Sequence, residues 1–212
     1  MNTGDAGTLQ IIPYHSPAGS TTCYFISQRD RSGTILVDPV RVDSGFYRII
    51  LEKNLHVRWV LVTHPEEYMR YGLRTLSRIF RFEIISGVRD LFGMHSRELV
   101  QDEVNNLVLE EIPVQAIPFL PHSHRSYVYR IGDALFSGAI FHAGTLGDTP
   151  STYNEELLIA TVEDHLFTLP RAEQDIILLP SVGPPSTLQA ERHLSPFYRH
   201  REFRRTVEVP RF

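Results

Sequence analysis

The sequence of 212 residues contains a single cysteine, Cys23, which excludes an intrachain disulfide and any zinc site built on several thiolates. Such sparing use of thiols fits a reducing compartment, and the cytoplasm is the expected location. Lysine is almost missing too: Lys53 stands alone, and arginine supplies the rest of the 21 basic residues set against 25 acidic ones. The formal charge of -4 and pI near 6.2 give no general attraction to nucleic acid or to an anionic membrane, so neither is an expected partner. Long apolar runs are absent as well. Stretches such as 60–62 and 176–179 fall far short of the roughly 20 residues that cross a bilayer, and the opening MNTGDAGTLQ has neither the cationic run nor the apolar stretch of a secretory leader.

What the chain does have is apolar side chains, 42% of the total, enough to build one core over residues 1–212. Short β-branched and aromatic runs at 8–14, 21–27 and 33–38, separated by Gly, Ser and Pro, predict three strands joined by turns. The spacing of Phe46, Ile49 and Ile50 predicts a helix over 43–54, and VRWVLVT at 57–63 returns to a buried-strand pattern. Met69, Leu73, Leu76 and Phe80 predict a second helix over 66–80, followed by a strand at 82–86. From Asn106 a second strand-rich set follows, with a hairpin turn at Gly132-Asp133, then a helix over 155–169, a strand in DIILLP and a short helix over 187–193. Two such halves predict an α/β (α+β) fold: two mixed sheets packed face to face with helices outside.

The strand VRWVLV runs into THPEEYMRYG at Thr63. In place and spacing this resembles T-H-x-H-x-D-H-x-x-G, the signature of the metallo-β-lactamase superfamily, with Thr63, His64 and Gly72 matching. The stretch PHSHRSYVYRIGDALFSGAIF resembles the superfamily's G-H-T-x-G-S, strand, G-D, strand, S/T-G-D, with His122 on the histidine and Ala139 in place of the closing aspartate. LLPSVGPPSTLQAERHLSPF is similar to P-G-H-G-P-P-T-T, E-R and N-P-F of the glyoxalase II-like branch, with Val182 where its histidine belongs. VDP at 37–39 and GTLGDTPSTYNEELL match further landmarks, so the resemblance runs from about Leu9 to Phe197.

The resemblance implies an αββα sandwich and a site for two metal ions, which lower the pKa of a bound water and polarise a carbonyl. The ligands of the first ion correspond to His64, Glu66 and His122. Those of the second correspond to Tyr68, Met69, Ala139 and Val182. Met, Ala and Val offer no adequate donor to a divalent ion, and a neutral tyrosine replaces a carboxylate poorly. The expectation is therefore a pseudoenzyme without a cofactor, Met69 filling the vacated space, retained to bind a protein partner, a small molecule or another copy of itself. The alternative is a hydrolase of thioesters, esters or phosphoesters that holds one zinc or iron ion on His64, Glu66 and His122.

Without a metal, the same residues have structural uses. His64 closes the strand end by hydrogen bonding, Glu66 opens the next helix at its positive end, and His122 sits in a loop. His124, His142 and Glu67 fall near the former ligand positions and are candidates for a relocated ligand or base. Cys23 is expected to pack as a small apolar side chain. Residues 199–212, with five arginines around Phe203 and Phe212, are expected to form a basic tail whose arginines pair with acidic residues of this chain or of a symmetric mate. Binding of phosphates or bases is the other use of such a tail.

Overall fold

Three antiparallel strands open the chain: β1 (Leu9–Ser16), β2 (Thr21–Gln28) and β3 (Gly33–Val37), with Ile11 opposite Ile26 and Tyr24 opposite Val37. The structure is a computed structural model and describes residues 9–16, 20–28, 33–168 and 175–196. Beyond β3 the chain enters helix α1 (Ser44–Glu52), where the Asp43 carboxylate accepts the Gly45 and Phe46 amides at 3.0 and 3.1 Å. β4 (His56–Leu61) lies parallel to β3, and after helix α2 (Met69–Ser77) β5 (Glu83–Ser86) lies parallel to β4. Helical crossovers enforce that parallel pairing. A hairpin of β6 (Asp90–Leu91) and β7 (Met94–His95) then leads to β8 (Arg97–Glu98), which completes a sheet of order β1-β2-β3-β4-β5-β8.

The second sheet begins as a meander of β9 (Asn105–Leu109), β10 (Ile112–Pro118), β11 (Tyr127–Ile131) and β12 (Ala134–Gly138). Its β11–β12 turn is the predicted Gly132-Asp133, with Gly132 at φ +57. A small hairpin, β13 (Phe141–His142) and β14 (Thr145–Leu146), precedes helix α3 (Thr152–Val162), which widens into a π-helical turn at Glu163–Phe167. β15 (Ile177–Pro180) returns parallel to β12, β16 (Ser186–Thr187) pairs with β15, and α4 (Leu188–Leu194) follows.

Three apolar clusters stack these elements. Ile26, Ile35, Leu61 and Ile85 of the first sheet meet Val114, Tyr127, Tyr129 and Phe136 of the second, so the sheets pack face to face. The outer face of the first sheet, with Phe25, Leu36 and Val60, is covered by Phe46 and Ile50 of α1 and Met69, Leu73 and Leu76 of α2. Val128, Leu135 and Leu178 on the outer face of the second are covered by Leu158, Val162 and Leu188. The layers run helix, sheet, sheet, helix, as expected. Burial on both faces explains why all five residues of β3 are buried and why its sequence does not alternate.

Two helices start three residues away from the sequence reading. α2 starts at Met69 rather than residue 66, and Glu66 lies in the preceding turn, where its carbonyl accepts the Met69 amide at 2.9 Å. The expectation that Glu66 opens the helix is corrected accordingly. The third helix starts at Thr152 rather than residue 155, because Ser151 Oγ accepts the Asn154 amide at 3.2 Å and caps it. Among the described residues no helix is long and apolar enough to cross a membrane. The expected tail over 199–212 lies outside the described residues.

Candidate functional site

β3 and β4 end side by side, Val37 opposite Leu61, so Asp38 and the Thr63-His64 pair emerge together at one edge of the sandwich. Asp38 is buried at φ +51. Its Oδ1 accepts the Thr63 amide at 2.8 Å and its Oδ2 accepts the Thr63 hydroxyl at 2.7 Å. With that proton committed, Thr63 Oγ1 accepts from His64 Nδ1 at 3.1 Å, which leaves the lone pair on Nε2. The hydroxyl has room because residue 138 is glycine: a Cβ there would lie 2.1 Å from Thr63 Oγ1.

His122 is presented by the loop between β10 and β11. Its Nδ1 stands 2.8 Å from the Asp148 carbonyl and donates to it, so here too Nε2 is the unprotonated nitrogen. The two imidazoles meet edge to face, centroids 5.2 Å apart at 79°. Glu66 Oε1 approaches His64 Nε2 to 3.5 Å. Burial holds His64 well below the usual histidine range, at about 4, and the neighbouring His122 adds to the effect. Burial lowers His122 as well. Both rings are neutral at pH 7, the form that binds metals. Asp38 is pushed the other way, up to about 6, by complete burial working against its bonds from Thr63.

The structure thus brings His64, Glu66 and His122 to one place. Two neutral imidazoles, each anchored through its far nitrogen, and one carboxylate have the donor chemistry of a single-ion site with its outer shell in place. Among the described residues, however, no group of three His, Cys, Asp or Glu side chains already stands in an arrangement that could hold an ion. Glu66 is the loosest member, on a turn and with its side chain 46% exposed.

The four residues that the sequence resemblance sets against the ligands of a second ion differ in kind and in burial. Met69 is wholly buried in the core under α2, Tyr68 is 40% exposed, and Ala139 and Val182 are half-buried. These four side chains offer no carboxylate or imidazole, so a second ion does not fit.

The remaining candidates separate. His142 Nδ1 is buried without a hydrogen-bond partner, and its ring lies against Gly183, where a Cβ would come within 2.5 Å. His124 is exposed, and Glu67 is committed to an ion pair with Arg70 at 2.6 Å. Cys23 is buried and its thiol is pushed far up by burial, so it packs as expected and makes no nucleophile. Sequence reasoning gave no role to Asp38 or to Glu191. The buried Glu191 carboxylate accepts the Gly144 amide and the Ser186 and Ser195 hydroxyls, tying the β13–β14 hairpin to α4. An acidic residue closing a strand as apolar as β3 was the available signal for Asp38.

Solved structures share this architecture. BLEG-1 B3 metallo-beta-lactamase superposes with a TM-score of 0.74 at 18% identity, over 90% of this chain and 99% of that one. ETHE1 from Myxococcus xanthus gives 0.76 at 18% identity, over 95% and 92%. The chain has the metallo-β-lactamase fold. A third structure of this fold, TTHA1623 in a di-iron-bound form, gives 0.68 at 18% identity, over 88% and 99%. No family profile and no curated protein sequence matches the chain. TTHA1623 corrects the expectation of a chain without a cofactor: a metallo-β-lactamase-fold protein of nearly the same extent holds iron, and the polar residues left at this site are donors of that kind.

Proposed function

We propose that the chain is a scaffold of the glyoxalase II-like branch that has given up two-metal hydrolysis and keeps its cleft to bind a small molecule, a pseudoenzyme with respect to that reaction. One observation supports this above the others: a fully buried methionine, an alanine, a valine and a half-exposed tyrosine occupy the positions of the second ion. Dinuclear hydrolysis needs carboxylate and imidazole there to hold an ion against the attacking and leaving oxygens. A fold does not dictate an activity, and clefts remain binding sites after their chemistry is gone. The proposal includes action in the cytoplasm as one domain, with no nucleic acid or membrane as partner.

A second reading is favoured by the way both imidazoles are held. His64, Glu66 and His122 would hold one zinc or iron ion, which when bound supplies an activated water and a Lewis acid. Asp38 with Thr63 and the Asp148 carbonyl would keep the two Nε2 atoms in their ligating form. The experiment is an assay of zinc-, iron- and manganese-treated protein against a thioester, an ester and a phosphoester. No turnover above the uncatalysed rate is expected. Turnover that disappears in His64→Ala would replace the first reading with the second.

A further inference from the structure

Beside Tyr68, the first turns of α2 and the segment after β3 enclose a cleft of about 490 Å3. The volume lies in the range of small-molecule sites, roughly 300–1,000 Å3. Its lining is uneven in kind. Val40 and Val42 supply apolar surface, and Tyr68 and Tyr71 supply two aromatic rings. Both tyrosines are among the large hydrophobic side chains left exposed, Tyr71 at 77%. Gly72 lets the helix close on this segment, since a Cβ there would come within 2.5 Å of the Pro39 carbonyl.

The polar side chains of the cleft are one guanidinium and three hydroxyls. Exposed Arg41 lines it; Asp43 lies within electrostatic reach of its guanidinium, but no salt bridge or hydrogen bond engages it among the described residues. Asp43, the nearest acid in sequence, is occupied by the Tyr14 hydroxyl and by the two amides at the start of α1. The Tyr68 and Tyr71 hydroxyls also lack partners among the described residues, while Thr75 spends its proton on the Tyr71 carbonyl at 2.8 Å. Among the described residues no carboxylate lines the cleft, and Asp38 and Glu66 are the acids within electrostatic reach of the Tyr68 hydroxyl. The contrast with the cleft beside β14 is plain, because that one, of about 440 Å3, is lined by Asp148 and Glu155 and by no base.

From this combination we infer that the cleft between Arg41 and the Tyr68–Tyr71 pair binds a small organic anion with a flat apolar body, of the aromatic carboxylate class. The body lies against the tyrosine rings and the two valines, where aromatic surface offers stacking and burial. The carboxylate meets the guanidinium, whose planar fork matches it. A cation would find a like charge and no acceptor side chain other than hydroxyls. A neutral ring would leave the guanidinium without its partner.

This inference goes beyond the small-molecule-binding reading, since its cleft is lined by none of His64, Glu66 and His122. The two fail separately: turnover in the assay above would sink that reading, whereas binding data decide this site whether or not the protein has an activity.

The test is titration of the intact chain with naphthoate and with its neutral isostere naphthamide, followed by calorimetry and by backbone amide NMR shifts. The expected result is one saturable site, shifts confined to residues 40–42 and 68–75, and naphthoate bound about tenfold tighter than naphthamide, as one charge-assisted contact gives. Arg41→Gln should abolish that preference and leave naphthamide binding unchanged. Tyr71→Ala should weaken both ligands by roughly tenfold, the effect of one lost aromatic contact surface. Both positions are exposed, so the variants keep the fold. No saturable binding, equal affinity for the two ligands, a preference that survives Arg41→Gln, or shifts centred elsewhere would each overturn the inference.

Discussion

The Thr63 hydroxyl donates to Asp38 Oδ2 at 2.7 Å, and that single bond decides which nitrogen of His64 faces the cleft. With its proton spent on the carboxylate, the hydroxyl can only accept from Nδ1, and Nε2 is left as the open donor atom. Thr63→Val should remove this link, leave a buried carboxylate one partner short and cost about 2 kcal/mol of stability. Nitrogen NMR of the imidazole should then show a mixture of tautomers, where the parent protein shows one. Thr63→Ser should restore both readouts.

Asp38 and His64 make opposite contributions to the pH dependence of the metal-free protein. The folded-state pKa of Asp38 is raised, about 6 against 3.8, so the native state binds the extra proton and this contribution to stability falls as pH rises from about 4 to 6. The folded-state pKa of His64 is lowered, about 4 against 6.5, so the unfolded state binds the extra proton and this contribution grows as pH rises over about 4 to 6.5. The two largely cancel. Burial lowers His122 in the same direction as His64, so in Asp38→Asn, with the opposing contribution gone, denaturant midpoints should climb with pH across that window more steeply than in the parent. A profile no steeper than the parent's would contradict the assigned directions.

Gly138→Ala should damage the same link from the opposite side. A methyl there would lie 2.1 Å from Thr63 Oγ1, on a backbone at φ +61 that favours glycine. The expected loss is about 2 kcal/mol or more, measured by chemical denaturation. The same change at Gly93, also at positive φ but with nothing within 4 Å, should cost only the backbone strain.

Particular residues show what the sequence could and could not reveal. The apolar run GTILV and the spacing from Thr63 through His64 to Gly72 read directly as a buried strand, a turn and a helix, because burial on both faces and helical period leave marks in composition. The β9–β10 turn left no such mark: Glu110 and Glu111 both adopt positive φ, +49 and +64, where asparagine or glycine is the usual sign. The start of α2 was misplaced because Tyr68 gives no side-chain cap, so nothing in the sequence separates the turn at Glu66 from the helix. His64, Glu66 and His122 were legible from motif spacing. Their hydrogen-bonded support was not, since Asp38 and Thr63 are 25 residues apart and His122 and Asp148 are 26 apart, and only the fold brings them together.

If four substitutions closed the second ion position, reversing them should open it. The variant Tyr68→Asp, Met69→His, Ala139→Asp, Val182→His should gain a second bound ion, while the buried imidazole at residue 69 lowers stability by roughly 1–3 kcal/mol in the metal-free state. Metal content of the folded variant, measured beside that of the parent, is the check.

Native mass spectrometry of the parent protein titrated with zinc tests the central claim most directly. The account predicts no more than one ion per chain, lost in both His64→Ala and His122→Ala. A second ion bound by the unaltered chain would contradict it.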